Sequence, residues 1–108
     1  MRNYELAWAA GFFDGEGTTS RHADSGQVRV TITQQERTTL DRFCCAVGVG
    51  KVYGPYSPPS HHGKVHFSYS VNKLVDVKKC LRRLWPHLSG PKRRQVARLH
   101  VDFLGRRS

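Results

Sequence analysis

The sequence predicts an α+β domain spanning residues 1–108, in the order αββαββα, with a four-stranded antiparallel sheet packed on helices. Three observations carry this. Stretches of period-two alternation lie between helical stretches. The strand–strand–helix unit occurs twice, although it is not a sequence repeat. No linker or low-complexity tract divides the 108 residues, a length that supports one modest core.

The first helix is expected from Asn3 to Phe13, with Asn3 as N-cap and Gly15 and Gly17 ending it. A strand from Thr18 to His22, a turn at Ala23-Asp24-Ser25-Gly26 and a strand from Gln27 to Gln34 follow. In the second strand Val28, Val30 and Ile32 face one way, and Gln27, Arg29, Thr31 and Thr33 the other. A helix from Arg37 to Val47 carries the apolar stripe Leu40, Phe43, Cys44 and Val47, and Gly48 ends it.

The second strand pair is expected at Gly50–Gly54 and Lys64–Val71, joined by an irregular loop from Pro55 to Gly63. Val65, Phe67, Tyr69 and Val71 share one face; Lys64, His66, Ser68 and Ser70 share the other. A helix from Lys73 to Leu84, capped by Asn72, bears Leu74, Val77, Leu81 and Leu84. A short extra helix from Pro91 to Leu104 has Val96, Leu99 and Phe103 in step.

Each strand has a polar face, so the helices should cover one side of the sheet only. The uncovered face is rich in Arg, Lys, His, Gln, Ser and Thr. The chain has 18 Lys+Arg against 8 Asp+Glu, a formal net charge of +10. Such an excess repels itself unless something anionic offsets it, and nucleic acid is the usual partner. A two-stranded ribbon with hydrogen-bonding side chains fits the major groove. No apolar run long enough to span a membrane occurs, and the amino-terminal residues do not read as a secretory signal, so no membrane partner is expected.

The cysteines, Cys44, Cys45 and Cys80, are odd in number and lack CxxC spacing. They read as buried free thiols of an intracellular, reducing compartment (a bacterial or phage cytoplasm, or an organelle). His61, His62, His66 and Cys80 fit no zinc spacing. Trp8 and Trp85 read as core residues, and Asp76 and Asp102 as solvated helix residues. Arg93, Arg94, Arg98, Arg106 and Arg107 suit backbone contacts or solubility. No nucleotide-binding loop, Rossmann fingerprint or nucleophile elbow is present, so no small-molecule cofactor is expected.

The sharpest segment is Ala9-Ala10-Gly11-Phe12-Phe13-Asp14-Gly15-Glu16-Gly17. Ala7, Gly11 and Gly15 recur every fourth residue on one helix face. Gly11 inside a helix costs about 1 kcal/mol against alanine. A stripe of small residues lets another helix approach closely, here the same helix of a second copy about a two-fold axis. Asp14 and Glu16 lie at the helix C-terminus, where the dipole disfavours carboxylates. Two such helices in contact would bring their carboxylates together near the axis, where oxygen ligands suit Mg²⁺ or another divalent ion such as Mn²⁺ or Ca²⁺. Paired ions could activate water and stabilise the leaving oxygen of a phosphodiester. Asp14 has the plainer reading of a turn cap.

This segment resembles the LAGLIDADG motif of homing endonucleases. It agrees at the alanine, the first glycine, the first acid and the last glycine. It departs in Ala9 for the leading leucine and in Glu16 for the commoner aspartate. Ile32-Thr33-Gln34, Val47-Gly48-Val49-Gly50 with Val52-Tyr53, and Leu84-Trp85-Pro86-His87-Leu88 also resemble the single-motif, homodimeric branch. The resemblance implies a saddle-like sheet, a homodimer through the first helix, and metal-dependent cleavage of both strands of a partly palindromic duplex.

The resemblance also implies residue roles. Glu16 would bind metal, one from each subunit, assisted by the Gly15 carbonyl. Gln34 would orient water near the cut. Lys92 would stabilise charge on the phosphate; its alignment needs a one-residue insertion around Ser89-Gly90-Pro91, which keeps Arg93 as a rival. Ser20, His22, Gln27, Arg29, Thr31, Thr33, Ser68 and Ser70 would face base edges, with Lys51, Tyr53, Lys64 and His66 as secondary candidates. Two other classes stand beside this one: a non-cleaving LAGLIDADG-derived nucleic-acid-binding protein, such as an intron maturase or regulator, and a basic ribosomal-type RNA-binding domain.

Overall fold

The structure, a computed structural model, describes residues 3–57, 64–99 and 101–103. Its elements are α1 (Asn3–Glu16), β1 (Gly17–Arg21), β2 (Val28–Gln34), α2 (Arg37–Val47), β3 (Lys51–Tyr56), β4 (His66–Val71), α3 (Leu74–Leu84), a 3₁₀ turn (Trp85–His87) and α4 (Gly90–Ala97). The four strands form one antiparallel sheet in the order β1-β2-β4-β3. The architecture is α+β, as the alternation predicts. His61, His62, Leu104, Arg106 and Arg107 lie outside the described residues.

The alternation in β2 sets the layer. Val28, Val30 and Ile32 are buried, while Arg29 and Thr33 are exposed. Tyr69 and Val71 of β4 join them beneath Ala9, Ala10 and Phe13 of α1, Leu40, Phe43 and Val47 of α2, and Val77, Leu81 and Leu84 of α3. Phe43 is the hub: its ring lies 6.3 Å from Phe13 and meets Tyr69 edge-on at 4.9 Å. Tyr69 keeps its hydroxyl satisfied by donating to the Val49 carbonyl at 2.8 Å. Gly50, at φ +92°, carries the chain past this ring; a Cβ there would lie 2.5 Å from the Tyr69 hydroxyl oxygen.

Several elements differ from the sequence expectation. α1 continues three residues beyond Phe13 and passes straight into β1. Gly15 is not at positive φ and so does not break the helix. Gly17 does end it, and a Cβ there would run into the Phe13 ring. β3 extends past Gly54 to Tyr56 through an irregularity between Tyr53 and Tyr56, which an edge strand tolerates around Pro55. Leu74 is 53% exposed, because the first turn of α3 lies beyond the end of β4 and the apolar stripe engages only from Val77. Val65 is likewise exposed, preceding the first ladder pair of β4. Asn72 does not cap α3; Lys73 takes the cap position without a side-chain hydrogen bond.

α4 stops at Ala97, yet Leu99 and Phe103 are still buried, the latter edge-on to Trp85 at 5.2 Å. Trp8 and Trp85 pack partly buried against the core. Of the thiols, Cys80 is buried and pushed by desolvation up to about 12, an inert core group. Cys45 is exposed, against the expectation of buried thiols, because it falls on the outer side of α2 between Cys44 and Ala46. Among the described residues, no helix is long and apolar enough to cross a membrane.

Phe43→Ala is expected to lower the unfolding free energy by about 3–5 kcal/mol, and Leu74→Ala by no more than about 0.5 kcal/mol. Urea denaturation of both variants checks the contrast.

Candidate nucleic-acid interface and catalytic end

The junction of α1 and β1 gathers the polar groups of interest. Glu16 ends α1, exposed at the C-terminus of the helix dipole. Gln34 ends β2, and its Nε2 donates to Glu16 Oε1 at 2.9 Å. The β1–β2 register pairs Gly17 with Ile32, which carries Gln34 beyond the ladder toward the helix end. Lys92, in the first turn of α4, is only 9% exposed. Its Nζ donates to the Gly17 carbonyl at 3.0 Å and to Gln95 Oε1 at 2.8 Å, and lies 5.0 Å from the Phe13 ring centroid. Glu16, Gln34 and Lys92, distant in sequence, are thus brought to one end of the sheet.

Arg93, the rival for the Lys92 role, is turned away. Its Nε donates to the Trp85 carbonyl at 3.2 Å and its Nη2 to the Pro86 carbonyl at 3.3 Å. Asp14 also leaves the Glu16 site. Two positions apart on a helix means about 200° around its axis, and Asp14 instead accepts from the Ser89 hydroxyl at 3.2 Å and the Ser89 amide at 3.3 Å. Ser89 in turn caps α4 by accepting from the Lys92 amide. Asp14 is therefore the anchor of α4 and not a partner of Glu16, a role that neither sequence reading, turn cap or metal ligand, gave it. Ser89 and Gln95 escaped the sequence reading. The Ser-Gly-Pro cap signal and the three-residue spacing from Lys92 to Gln95 could have found them.

Burial holds the Lys92 amine below its usual value, opposed by the nearby Asp14 carboxylate. Its two acceptors are neutral oxygens. A lysine whose folded pKa is depressed binds fewer protons in the native than in the unfolded state. Charging it therefore costs stability at neutral pH, and the cost is relieved as pH rises from the folded value toward 10.5.

The polar sheet face follows the ladder. Thr18 pairs with Thr31, Thr31 with Ser70, and Ser70 with Lys51; Thr33 pairs with Ser68, and Ser68 with Tyr53. Ser20 pairs with Arg29 in the next row. Ser20, Arg29, Thr31, Thr33, Ser68 and Ser70 therefore share one face, with Lys51 and Tyr53 beside them. Thr18 belongs there too, though only its alternation with Ser20 signals it. His22 and Gln27 lie just past the strand ends and line a concavity with Ser20 and Arg29. Lys64 and His66 line another with Thr33 and Gln34.

On α1, Ala7, Gly11 and Gly15 are all exposed, and added Cβ atoms at both glycines would meet nothing within 4 Å. The stripe is open to a neighbour. Among the described residues no three His, Cys, Asp or Glu side chains come together. One copy of the chain offers a single carboxylate, Glu16, and the Gly15 carbonyl next to it. Both are hard oxygen donors of the kind Mg²⁺ and Ca²⁺ take, but too few for a complete all-protein site.

No protein-family model and no curated protein matches the sequence. Solved structures do. The homing endonuclease I-CvuI, in complex with a DNA target, superposes with TM-score 0.67 at 20% identity over 90% of this chain. I-TnaI, also a homing endonuclease, gives 0.68 at 21% over 92%. The group I intron-encoded homing endonuclease I-CeuI, complexed with DNA, gives 0.70 at 13% over 95%. The chain has the LAGLIDADG homing endonuclease fold. It spans 64% of the length of I-CvuI and 71% of I-TnaI. The segment that resembles the motif lies in α1, of which Glu16 is the last residue.

Lys92→Met is expected to leave the thermal midpoint equal or raised at pH 7, since the buried charge is removed while the stem's packing is kept. The gain over the wild-type chain should shrink as pH approaches 10, and thermal melts across that range read it.

Proposed function

We propose that this chain is a site-specific DNA endonuclease of the homing type. It would act as a homodimer, hydrolysing both strands of a partly palindromic duplex with divalent metal ions. The observation that carries the reading is the Glu16–Gln34 bond where an open small-residue helix stripe meets a polar sheet face, with Lys92 seated on the adjoining Gly17 carbonyl.

Ala7, Gly11 and Gly15 would pack on the same residues of a second copy, an isologous contact. The two Glu16 carboxylates, with the Gly15 carbonyls, would then hold Mg²⁺, or Mn²⁺ or Ca²⁺ in its place, beside the phosphates. Bound there, such ions supply Lewis-acid neutralisation of phosphate charge and make a water more acidic. Gln34, fixed by its bond to Glu16, presents an amide that orients water at the phosphate. Lys92 offers an ammonium whose burial keeps it poorly solvated, so its charge acts strongly on a nearby phosphate oxygen. The two sheet faces would lie along the major grooves of the half-sites, and protein symmetry would be mirrored in the target. The excess of Lys and Arg supplies sequence-independent affinity. Three free thiols suit a reducing compartment.

Cleavage of a randomised duplex library with Mg²⁺ and with EDTA tests this. Double-strand cuts at partly palindromic sites are expected with Mg²⁺ only, and Glu16→Gln should bind the same sites without cutting. Wild-type binding without cutting under any divalent ion would leave a non-cleaving nucleic-acid-binding protein. Gly11→Leu is expected to shift sedimentation from dimer to monomer and to remove double-strand cutting; unchanged sedimentation would refute the helix interface.

A further inference from the structure

Across β1, β2 and β4 the middle rows of the polar face carry hydroxyls, Thr18, Thr31, Thr33, Ser68 and Ser70, while Lys51 and Tyr53 stand at the β3 edge and Lys64 and His66 beside Gln34. A hydroxyl donates and accepts alike, so these side chains discriminate weakly among base edges. At the far end the β1–β2 turn folds Ser20, His22, Gln27 and Arg29 around a concavity of about 340 Å³.

That concavity is rich in donors. His22 Nδ1 lies 3.3 Å from the Asp24 amide and 3.4 Å from the Ser25 amide, accepting from both. With Nδ1 accepting, Nε2 is the ring's donor. Two arginines line the hollow, and they differ. Arg21 is occupied: its guanidinium donates to the Gly26 carbonyl at 2.8 Å and to the Leu99 carbonyl. Arg29 is exposed, and among the described residues its guanidinium donates to nothing. Opposite it on β1 stands only the small Ser20. A free planar fork can engage two adjacent acceptors at once. In the major groove, O6 and N7 of guanine provide them.

We propose that Arg29, with His22 at the rim, reads a guanine in each half-site. The proposal rests on the duplex-DNA reading above. Arg29 precedes Gln34 by five residues on β2. At about 3.4 Å per residue that is about 17 Å, or about five base pairs. The two-fold axis repeats the guanine on the other side.

A phosphate could also engage a free arginine, and the two sources separate experimentally. Randomised duplexes are selected on the full-length chain in Ca²⁺, and the enriched sites are titrated over a range of salt with wild type, Arg29→Ala and Arg29→Lys. The expected result is a symmetric pair of guanines about five base pairs outward of the Gln34 position. Both variants should weaken that preference about tenfold or more while leaving the rest of the site unchanged, and Arg29→Lys should keep the wild-type salt slope. A uniform loss of affinity in Arg29→Ala, with the guanine preference intact and the salt slope reduced by about one, would assign Arg29 to a phosphate and overturn the proposal. Selection of another base at that position would also overturn it. No duplex sequence preference in the wild type would mark failure of the underlying DNA reading itself.

Discussion

α1 enters β1 without an intervening loop, and the rest of the site depends on that junction. Phe13 is fully buried against Phe43, and Gly17 passes so close over its ring that only a glycine fits. The Gly17 carbonyl then receives the Lys92 ammonium, which also lies over the Phe13 ring. Core packing, helix end, strand start and buried cation are thereby mechanically joined. The backbone at Glu16 is held relative to the sheet, because the residue after it is already paired with Ile32. A side chain whose position must be reproducible profits from such a mounting.

The charges around the junction are arranged unevenly, and the unevenness has a cost. Glu16 faces an adverse helix dipole, and Lys92 is desolvated with only neutral oxygens to meet it. Neither arrangement favours the folded chain by itself. The Asp14–Ser89 bond fixes the start of α4, and the exposed Glu5–Arg42 pair, bonded at 2.8 and 3.1 Å, ties α1 to α2. Groups held in costly electrostatic positions gather where a ligand of opposite charge is expected to relieve them.

The sheet was legible in the sequence because its signals are local: Val28, Val30 and Ile32 alternate with polar partners, and α2 carries its stripe between clear ends. Glu16 was legible as an anomaly, an acid at the wrong end of a helix. Gln34 and Lys92 came from likeness to a family, and nothing in their own neighbourhoods names them. Features that depend on distant packing were hidden. Gly15 reads as a helix breaker, yet its backbone stays helical. Leu74 and Val65 fit their stripes but overhang the sheet's end. Asp14 is separated from its partner Ser89 by 75 residues, so no local pattern reveals the bond. Cys45 shows the same limit, since side-by-side cysteines on a helix cannot share one face.

A division of labour follows from where rigidity lies. The junction that carries Glu16 is built from core residues, and substitutions there would disturb packing and chemistry together. The outer end of the face is built from a surface turn and strand termini, with His22, Gln27 and Arg29 all exposed. Substitutions there touch neither the Phe43 hub nor the Glu16–Gln34 bond, and surface changes of this kind cost little stability. A protein arranged in this way could alter what it recognises by changing turn residues while the inner end stays as it is. The Glu16–Gln34 bond and the His22–Arg29 hollow thus stand at opposite ends of β2 and can be altered independently.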